Sequence, residues 1–180
     1  MLNLTPLEQV HFDTLTKWRK AMDLVGPGPL EPHFEDARRA VGWLAAEGSW
    51  ADLGSGAGFP GVALAACYPE VSVTLVESRQ KRVMFLREVV SRGGVDNVNI
   101  FHGRSETLEK RSYDGVISRA FRPPEEFLAE ARDLLVMGGT AVLMLALGEP
   151  PTVEGLELFH VEQYPLDDRT RKACGYRKIA

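Results

Sequence analysis

Ten consecutive residues carry the densest chemical signal in the chain: Asp52-Leu53-Gly54-Ser55-Gly56-Ala57-Gly58-Phe59-Pro60-Gly61. Glycine lacks a Cβ, so such a run lets a ligand approach the backbone where any other side chain would collide. The run follows the strand-like stretch Trp50–Leu53 and precedes a helical pattern reaching Cys67, the context in which a glycine turn holds a nucleotide-like ligand. Residues 56–61 also satisfy G-x-G-x-x-G, a fingerprint shared with dinucleotide sites, so the neighbours must discriminate. Asp52 places a carboxylate beside the glycines, which suits an ammonium group and repels a pyrophosphate. Pro60 removes an N–H where a phosphate cradle would use one. Both residues favour S-adenosylmethionine, held by its amino-acid end, over a dinucleotide. Glu77 closes the next strand, placed to accept hydrogen bonds from both hydroxyls of a ribose.

Two further groups fall at the same sheet edge. Ser105 and Glu106 follow the third strand, where they can meet an adenine, and Arg119 ends the fourth, where a cation can contact a carboxylate or an RNA phosphate. His11, His33, His102 and His160 are dispersed, and Cys67 and Cys174 stand far apart. That excludes a metal site and a disulfide framework. Trp18, Trp43 and Trp50 sit at helix and strand positions and are read as core.

The elements that must position these groups follow from periodicity. Thr5-Pro6-Leu7-Glu8 is a capping box with proline at the first helical position, and the apolar spacing predicts a helix that ends near Gly26. A second helix begins at Pro32 and stops at Gly48. Strands at 50–53, 71–76, 98–101, 113–117 and 140–145 then alternate with helices ending at Cys67, spanning 79–92 and spanning 124–135, a pattern that demands a parallel sheet covered by helices. Residues 156–161 and 173–179 read as two strands without a helix between them, hence an antiparallel pair at the sheet edge. The expected fold is α/β and Rossmann-like, with a mostly parallel seven-stranded sheet and helices on both faces. Residues 1–180 are read as one methyltransferase domain with 1–47 as an N-terminal helical cap.

The chain has 180 residues, 44% of them apolar, and a net charge of −4. That is enough apolar content for one core and too little positive charge for indiscriminate nucleic-acid binding. RNA would need a local patch, and Arg169, Arg171, Lys172, Arg177 and Lys178, aided by Arg119 and Arg122, are the candidates. No apolar run is long enough to span a bilayer and the N-terminus lacks a secretory pattern, so the expected location is cytoplasmic, without membrane attachment.

Asp52–Gly61, Val76-Glu77-Ser78 with Lys81-Arg82 and Phe85-Leu86, and Gly115-Val116-Ile117-Ser118-Arg119-Ala120-Phe121 resemble the GidB/RsmG family, bacterial small-subunit ribosomal RNA guanine-N7 methyltransferases. The resemblance covers roughly residues 15–148, and Trp18, His33 and Asp36 look like its N-terminal helical signature. It implies a class I methyltransferase fold, S-adenosyl-L-methionine as methyl donor, and 16S ribosomal RNA or a small-subunit precursor as partner of a monomeric enzyme. It also implies cofactor contacts at Gly54, Gly56, Gly58, Phe59, Glu77, Ser105 and Glu106, with Arg119 facing the methyl-transfer side. No catalytic acid or base is expected, because guanine N7 attacks with an unprotonated lone pair. The chain departs from the family at Leu147-Gly148, where Lys-Gly is usual, at Asp23-Leu24-Val25, at Ala37 and beyond Asp168. Loss of that lysine requires Arg119 or a tail cation to stand in, or weakens binding. The alternatives are methylation of another substrate, a non-catalytic ribosome-assembly factor, and a nicotinamide enzyme using the same glycine run.

Overall fold

The computed structural model describes residues 3–119 and 121–180; Ala120 of the Gly115–Phe121 motif lies outside the described residues. Seven strands form one sheet: β1 (Ser49–Leu53), β2 (Ser72–Glu77), β3 (Val98–His102), β4 (Tyr113–Arg119), β5 (Leu135–Leu145), β6 (Leu156–Leu166) and β7 (Arg169–Lys178). Their order is β3-β2-β1-β4-β5-β7-β6. The first five in that order run parallel, and β7 is antiparallel to both β5 and β6. This is the expected Rossmann-like methyltransferase architecture. The last strand enters between β5 and β6, so the antiparallel pair stands at the edge with its later strand inside.

Parallel strands covered on both faces should be apolar throughout. The apolar residues of β1 divide between the two faces: Trp50 joins one core cluster, Ala51 and Leu53 the other. The first cluster carries helices α1 (Pro6–Trp18), α2 (Glu31–Val41), α3 (Gly61–Cys67) and α4 (Gln80–Gly93), the second α5 (Pro124–Leu134). A short 3₁₀ turn, Ser105–Thr107, follows β3. Gly115 on β4 passes so close to Trp50 that an added Cβ would lie 2.1–2.4 Å from the indole. We expect Gly115→Ala to lower stability by about 1–3 kcal/mol through overpacking, read as a shift in urea midpoint at constant slope.

The capping box forms as expected: Thr5 Oγ1 accepts from the Glu8 N–H, and Glu8 accepts from the Thr5 N–H. Two helix lengths differ from expectation. α1 stops at Trp18, eight residues short of Gly26, and α2 stops at Val41, before Gly48. The Trp18 indole donates to Glu88 of α4 at 2.7 Å, and the chain then turns so that Met22, Leu24 and Val25 reach the core from a loop. Tertiary burial, rather than helical continuation, satisfies those apolar residues. The hairpin strands are also longer than expected, because Tyr164 and Leu166 turn inward onto α2 in a third cluster with Ala40. Their connection turns at Asp167, at φ 51°.

The helical cap is tied down by charge. Arg38 of α2 donates through Nε to Glu8 Oε1 at 2.7 Å, and Glu8 is fully buried. Burial acts to raise the Glu8 carboxyl, but the Arg38 and Thr5 hydrogen bonds overcome it and hold it below the usual range. We expect Arg38→Met to strand that carboxylate and to cost roughly 3 kcal/mol, the low end for breaking a buried pair because Arg38 is partly exposed. Urea unfolding of the variant checks this.

Candidate active site

The carboxyl ends of the parallel strands converge on a cavity of about 340 Å³ lined by Gly54, Glu77, Arg79, Ser105, Glu106 and Phe121, among others. Gly54 leaves β1 at φ 68°, and a Cβ there would lie 2.2 Å from the Phe121 ring, so only glycine gives this turn its closeness to that aromatic wall. Glu77, 5% exposed, ends β2. Its Oε2 accepts from the Gly56 N–H at 3.1 Å and its Oε1 from the Arg79 N–H at 2.8 Å. Two amides therefore fix the carboxylate, and each oxygen keeps a lone pair for another donor. The Ser105 hydroxyl is buried in the wall without a hydrogen-bond partner among the described residues. Glu106 is engaged by the Arg122 guanidinium, which also stacks over Phe121 at 4.9 Å.

Four of the nine sequence-derived positions, Gly54, Glu77, Ser105 and Glu106, thus line one cavity. The structure seats the others behind or beside it. Gly56, at φ 53°, contributes its amide to Glu77. Gly58 packs on Val62 and His11. Phe59 lies in an aromatic cluster with His11 and Phe34, its ring centroid 4.6 Å and 4.9 Å from theirs. Asp52 is fully buried beneath the turn, where Oδ2 accepts from the Gly61 N–H at 3.0 Å and Oδ1 has no partner among the described residues. Burial pushes its carboxyl up to about 7, against the Gly61 hydrogen bond and Arg119. Near neutrality it is half protonated, whereas the sequence reading placed an ionised carboxylate beside the glycines.

Arg119 belongs to a neighbouring cavity of about 240 Å³ lined also by Asp36, Ser118, Phe121, Leu147 and Arg171. Its guanidinium lies over the Phe59 ring at 4.7 Å and reaches Asp36 Oδ2 at 3.3 Å. Burial pulls its pKa down, and Asp36 opposes that. Phe121 and Arg122 line both cavities, so the two adjoin at these residues. Leu147, 85% exposed, stands at this second cavity, and the tail cation that joins Arg119 there is Arg171.

The basic run of the hairpin does not form the single expected patch. Alternation along β7 and local partners scatter it: Lys172 donates to Glu149 at 2.7 Å, Arg177 to the Gly138 carbonyl, and buried Lys178 to the Leu135 carbonyl. Arg122 is held by Glu106 and lies 3.4 Å from Glu130.

Sequence reasoning missed His11. Its Nε2 lies 2.6 Å from the Ala57 carbonyl; a carbonyl only accepts, so Nε2 carries the proton. Burial drives its pKa down to about 4, with the Ala57 hydrogen bond opposing, and a neutral imidazole ties α1 to the glycine turn. Its helical spacing from Leu7 and Leu15 placed it on the buried face, but nothing local named Ala57. Phe121 was quoted only within a motif and emerges as the wall between the cavities.

A family model described as rRNA small subunit methyltransferase G matches residues 7–153. The chain is 37% identical over 151 residues to the ribosomal RNA small subunit methyltransferase G of Erythrobacter litoralis, covering 78% of this chain and 73% of that protein. It is 36% identical over 138 residues to the Pseudomonas aeruginosa protein of the same name, covering 74% and 63%. To the Geobacillus kaustophilus protein it is 32% identical over 147 residues, covering 76% and 62%. It thus spans under two thirds of the length of the last two. Among solved structures, MtNAS in complex with MTA and tNA superposes with a TM-score of 0.64 at 15% identity, covering 96% of this chain and 71% of that one. A predicted O-methyltransferase from Agrobacterium tumefaciens superposes with a TM-score of 0.61 at 22% identity, covering 81% of each. At those identities the likeness speaks for the fold alone. With glycine turn, strand-end glutamate and strand order all in place, the chain belongs to the GidB family of rRNA small subunit methyltransferase G proteins.

Proposed function

We propose that the chain transfers a methyl group from S-adenosylmethionine to N7 of a guanine in 16S ribosomal RNA, acting as a monomer on the small subunit or its precursor. The observation that carries this is the cavity at Gly54, with Glu77 fixed by two amides and a buried Ser105 hydroxyl without a partner among the described residues. Its volume, about 340 Å³, falls in the range of small-ligand sites. In this reading Glu77 accepts from the ribose hydroxyls, and Ser105 and Glu106 meet the adenine. The unpartnered Oδ1 of Asp52 lies on the amino-acid side, beneath the turn made by Gly54, Gly56 and Gly58, and Phe59 supports Arg119. When bound, the donor supplies a methyl already electrophilic on its sulfonium.

What remains for the protein is placement. An aromatic N7 lone pair bears no proton, so the attack asks for alignment, and holding two reactants in line is worth roughly 7–11 kcal/mol. Arg119 and Phe121 are the groups in this reading that hold the base. No helix of the described residues is long and apolar enough to cross a membrane, and we place the work in the cytoplasm, with residues 1–47 serving as a cap on one catalytic domain.

The test is methyl transfer from labelled S-adenosylmethionine to 16S rRNA, naked and in small subunits, followed by mapping of the labelled nucleotide. Label at a guanine N7 is the expected result. Label that does not exceed a protein-free control with either RNA form sinks the reading.

A further inference from the structure

The cavity beside Arg119 holds more positive charge than its acids answer. Asp36 is its one carboxylate among the described residues, and each oxygen already has a donor: Oδ1 accepts from the Tyr164 hydroxyl at 2.8 Å, and Oδ2 lies 3.3 Å from Arg119. Arg171 enters from β7, opposite Tyr164 in the hairpin register. It lines this cavity and the adjoining cleft formed with Pro29, His33 and Asp36. Its Nε is buried and has no hydrogen-bond partner among the described residues. Asp167, the other acid of the cleft, is exposed at the hairpin turn. Of the three arginines that line the cavity, Glu106 holds Arg122 and Asp36 holds Arg119, whereas Arg171 keeps a buried donor without a partner among the described residues.

Guanidinium forks match phosphate oxygens, and an enclosed donor without a partner calls for an acceptor from outside. Phosphate contacts position a nucleic acid, whereas base contacts specify it. The cavity meets the cofactor side at Phe121 and Arg122, so a phosphate held here leaves its own nucleoside within reach of that junction. We propose that this cavity is a phosphodiester-binding site in which Arg171, beside the Asp36-held Arg119, grips the backbone of a single-stranded RNA next to the base being methylated. The inference rests on the RNA reading above and adds to it a binding residue from the hairpin. Arg171 is the cation of the basic run that lines this cavity and keeps a buried donor without a partner among the described residues; Arg169 is exposed at the hairpin turn, and Lys172, Arg177 and Lys178 are hydrogen-bonded within the chain.

The test compares wild type with Arg171→Gln and Arg171→Lys in binding a labelled 16S rRNA fragment by anisotropy across a salt series, alongside S-adenosylhomocysteine titrations and urea unfolding. Arg171→Gln is expected to bind RNA about tenfold more weakly and to flatten the log affinity against log salt slope by about 1. Its affinity for S-adenosylhomocysteine and its urea midpoint should match wild type. Arg171→Lys should restore the slope but only part of the affinity, because a point charge lacks the fork. An Arg171→Gln protein with wild-type slope and affinity overturns the site while leaving the RNA reading intact; so does one that unfolds earlier or loses S-adenosylhomocysteine, which would make Arg171 structural. Displacement of RNA from wild type by millimolar inorganic phosphate, at unchanged ionic strength, would assign the site to free phosphate and overturn the proposal. A wild-type chain that binds S-adenosylhomocysteine but shows no salt-dependent RNA binding overturns the RNA reading itself, and the site with it.

Discussion

Asp52→Asn is expected to be more stable than wild type near pH 7, by up to roughly 4 kcal/mol, and to lose that advantage in acid. The Asp52 carboxyl sits at about 7 in the fold against 3.8 for an ordinary aspartate. Between those values the folded protein keeps a proton that the unfolded chain has released, so stability falls as pH rises and the full penalty stands above 7. Asparagine keeps an oxygen for the Gly61 N–H and carries no charge to bury. His11 works in the opposite sense. Its pKa falls from 6.5 to about 4 on folding, so the unfolded chain binds the extra proton in that interval. Stability from His11 is therefore complete above 6.5 and is lost, by roughly 3 kcal/mol, as pH falls toward 4.

In wild type the two slopes oppose each other over the shared interval from about 4 to 6.5, and these two groups together leave stability nearly flat there. Removing either unmasks the other. Asp52→Asn should gain stability by about 1.4 kcal/mol per pH unit as pH rises through this interval, and His11→Phe should lose it at the same rate. His11→Phe also carries a constant cost from the Ala57 carbonyl left without its donor, but a constant does not alter a slope. Urea midpoints of the three proteins at four pH values decide the matter. Profiles that run parallel would show that neither group is buried in the state described.

Glu77→Ala should weaken S-adenosylhomocysteine binding by one to two orders of magnitude, the loss of about 1.5–3 kcal/mol that goes with a charged hydrogen-bond acceptor. The same change leaves the Gly56 and Arg79 amides without their acceptor, which would loosen the turn as well as remove a ligand contact. Glu77→Gln separates the two effects, because its amide oxygen can still accept from one of those N–H groups. We expect Gln to recover most of the urea midpoint and only part of the affinity. Calorimetry showing wild-type affinity in both variants would remove Glu77 from the cofactor site. Gly56→Arg is expected to abolish binding by a different route: an arginine at φ 53° is strained, and its side chain starts beside Arg82, at the rim of the same cavity.

Much of this was legible before any coordinates. Alternating strand and helix patterns required a parallel sheet with its ligand at the carboxyl edge, and Gly54, Glu77, Ser105 and Glu106 meet there because each ends a strand or follows one within four residues. Such residues are read well from sequence because strand ends converge wherever a parallel sheet forms. The failures have one cause. α1 was drawn too long because Met22 kept helical spacing while its burial came from a loop. The basic run was read as a patch because sequence adjacency hides the alternation of a strand, which sends Lys172 to Glu149 and Arg171 to the cavity beside Arg119.

By itself, then, the sequence determined the fold class, the glycine turn and the family, since all three depend on local spacing and on the period of apolar residues. Only the tertiary structure decided that Asp52 lies sealed under the turn with a displaced pKa, that His11 donates to Ala57, and that Arg119, Asp36 and Arg171 share a cavity. The pairing of His11 with Ala57 and the meeting of Asp36 with Arg119 and Arg171 join residues 46 to 135 positions apart. Desolvation and long-range pairing depend on what closes over a group, and no window of neighbouring residues contains that information.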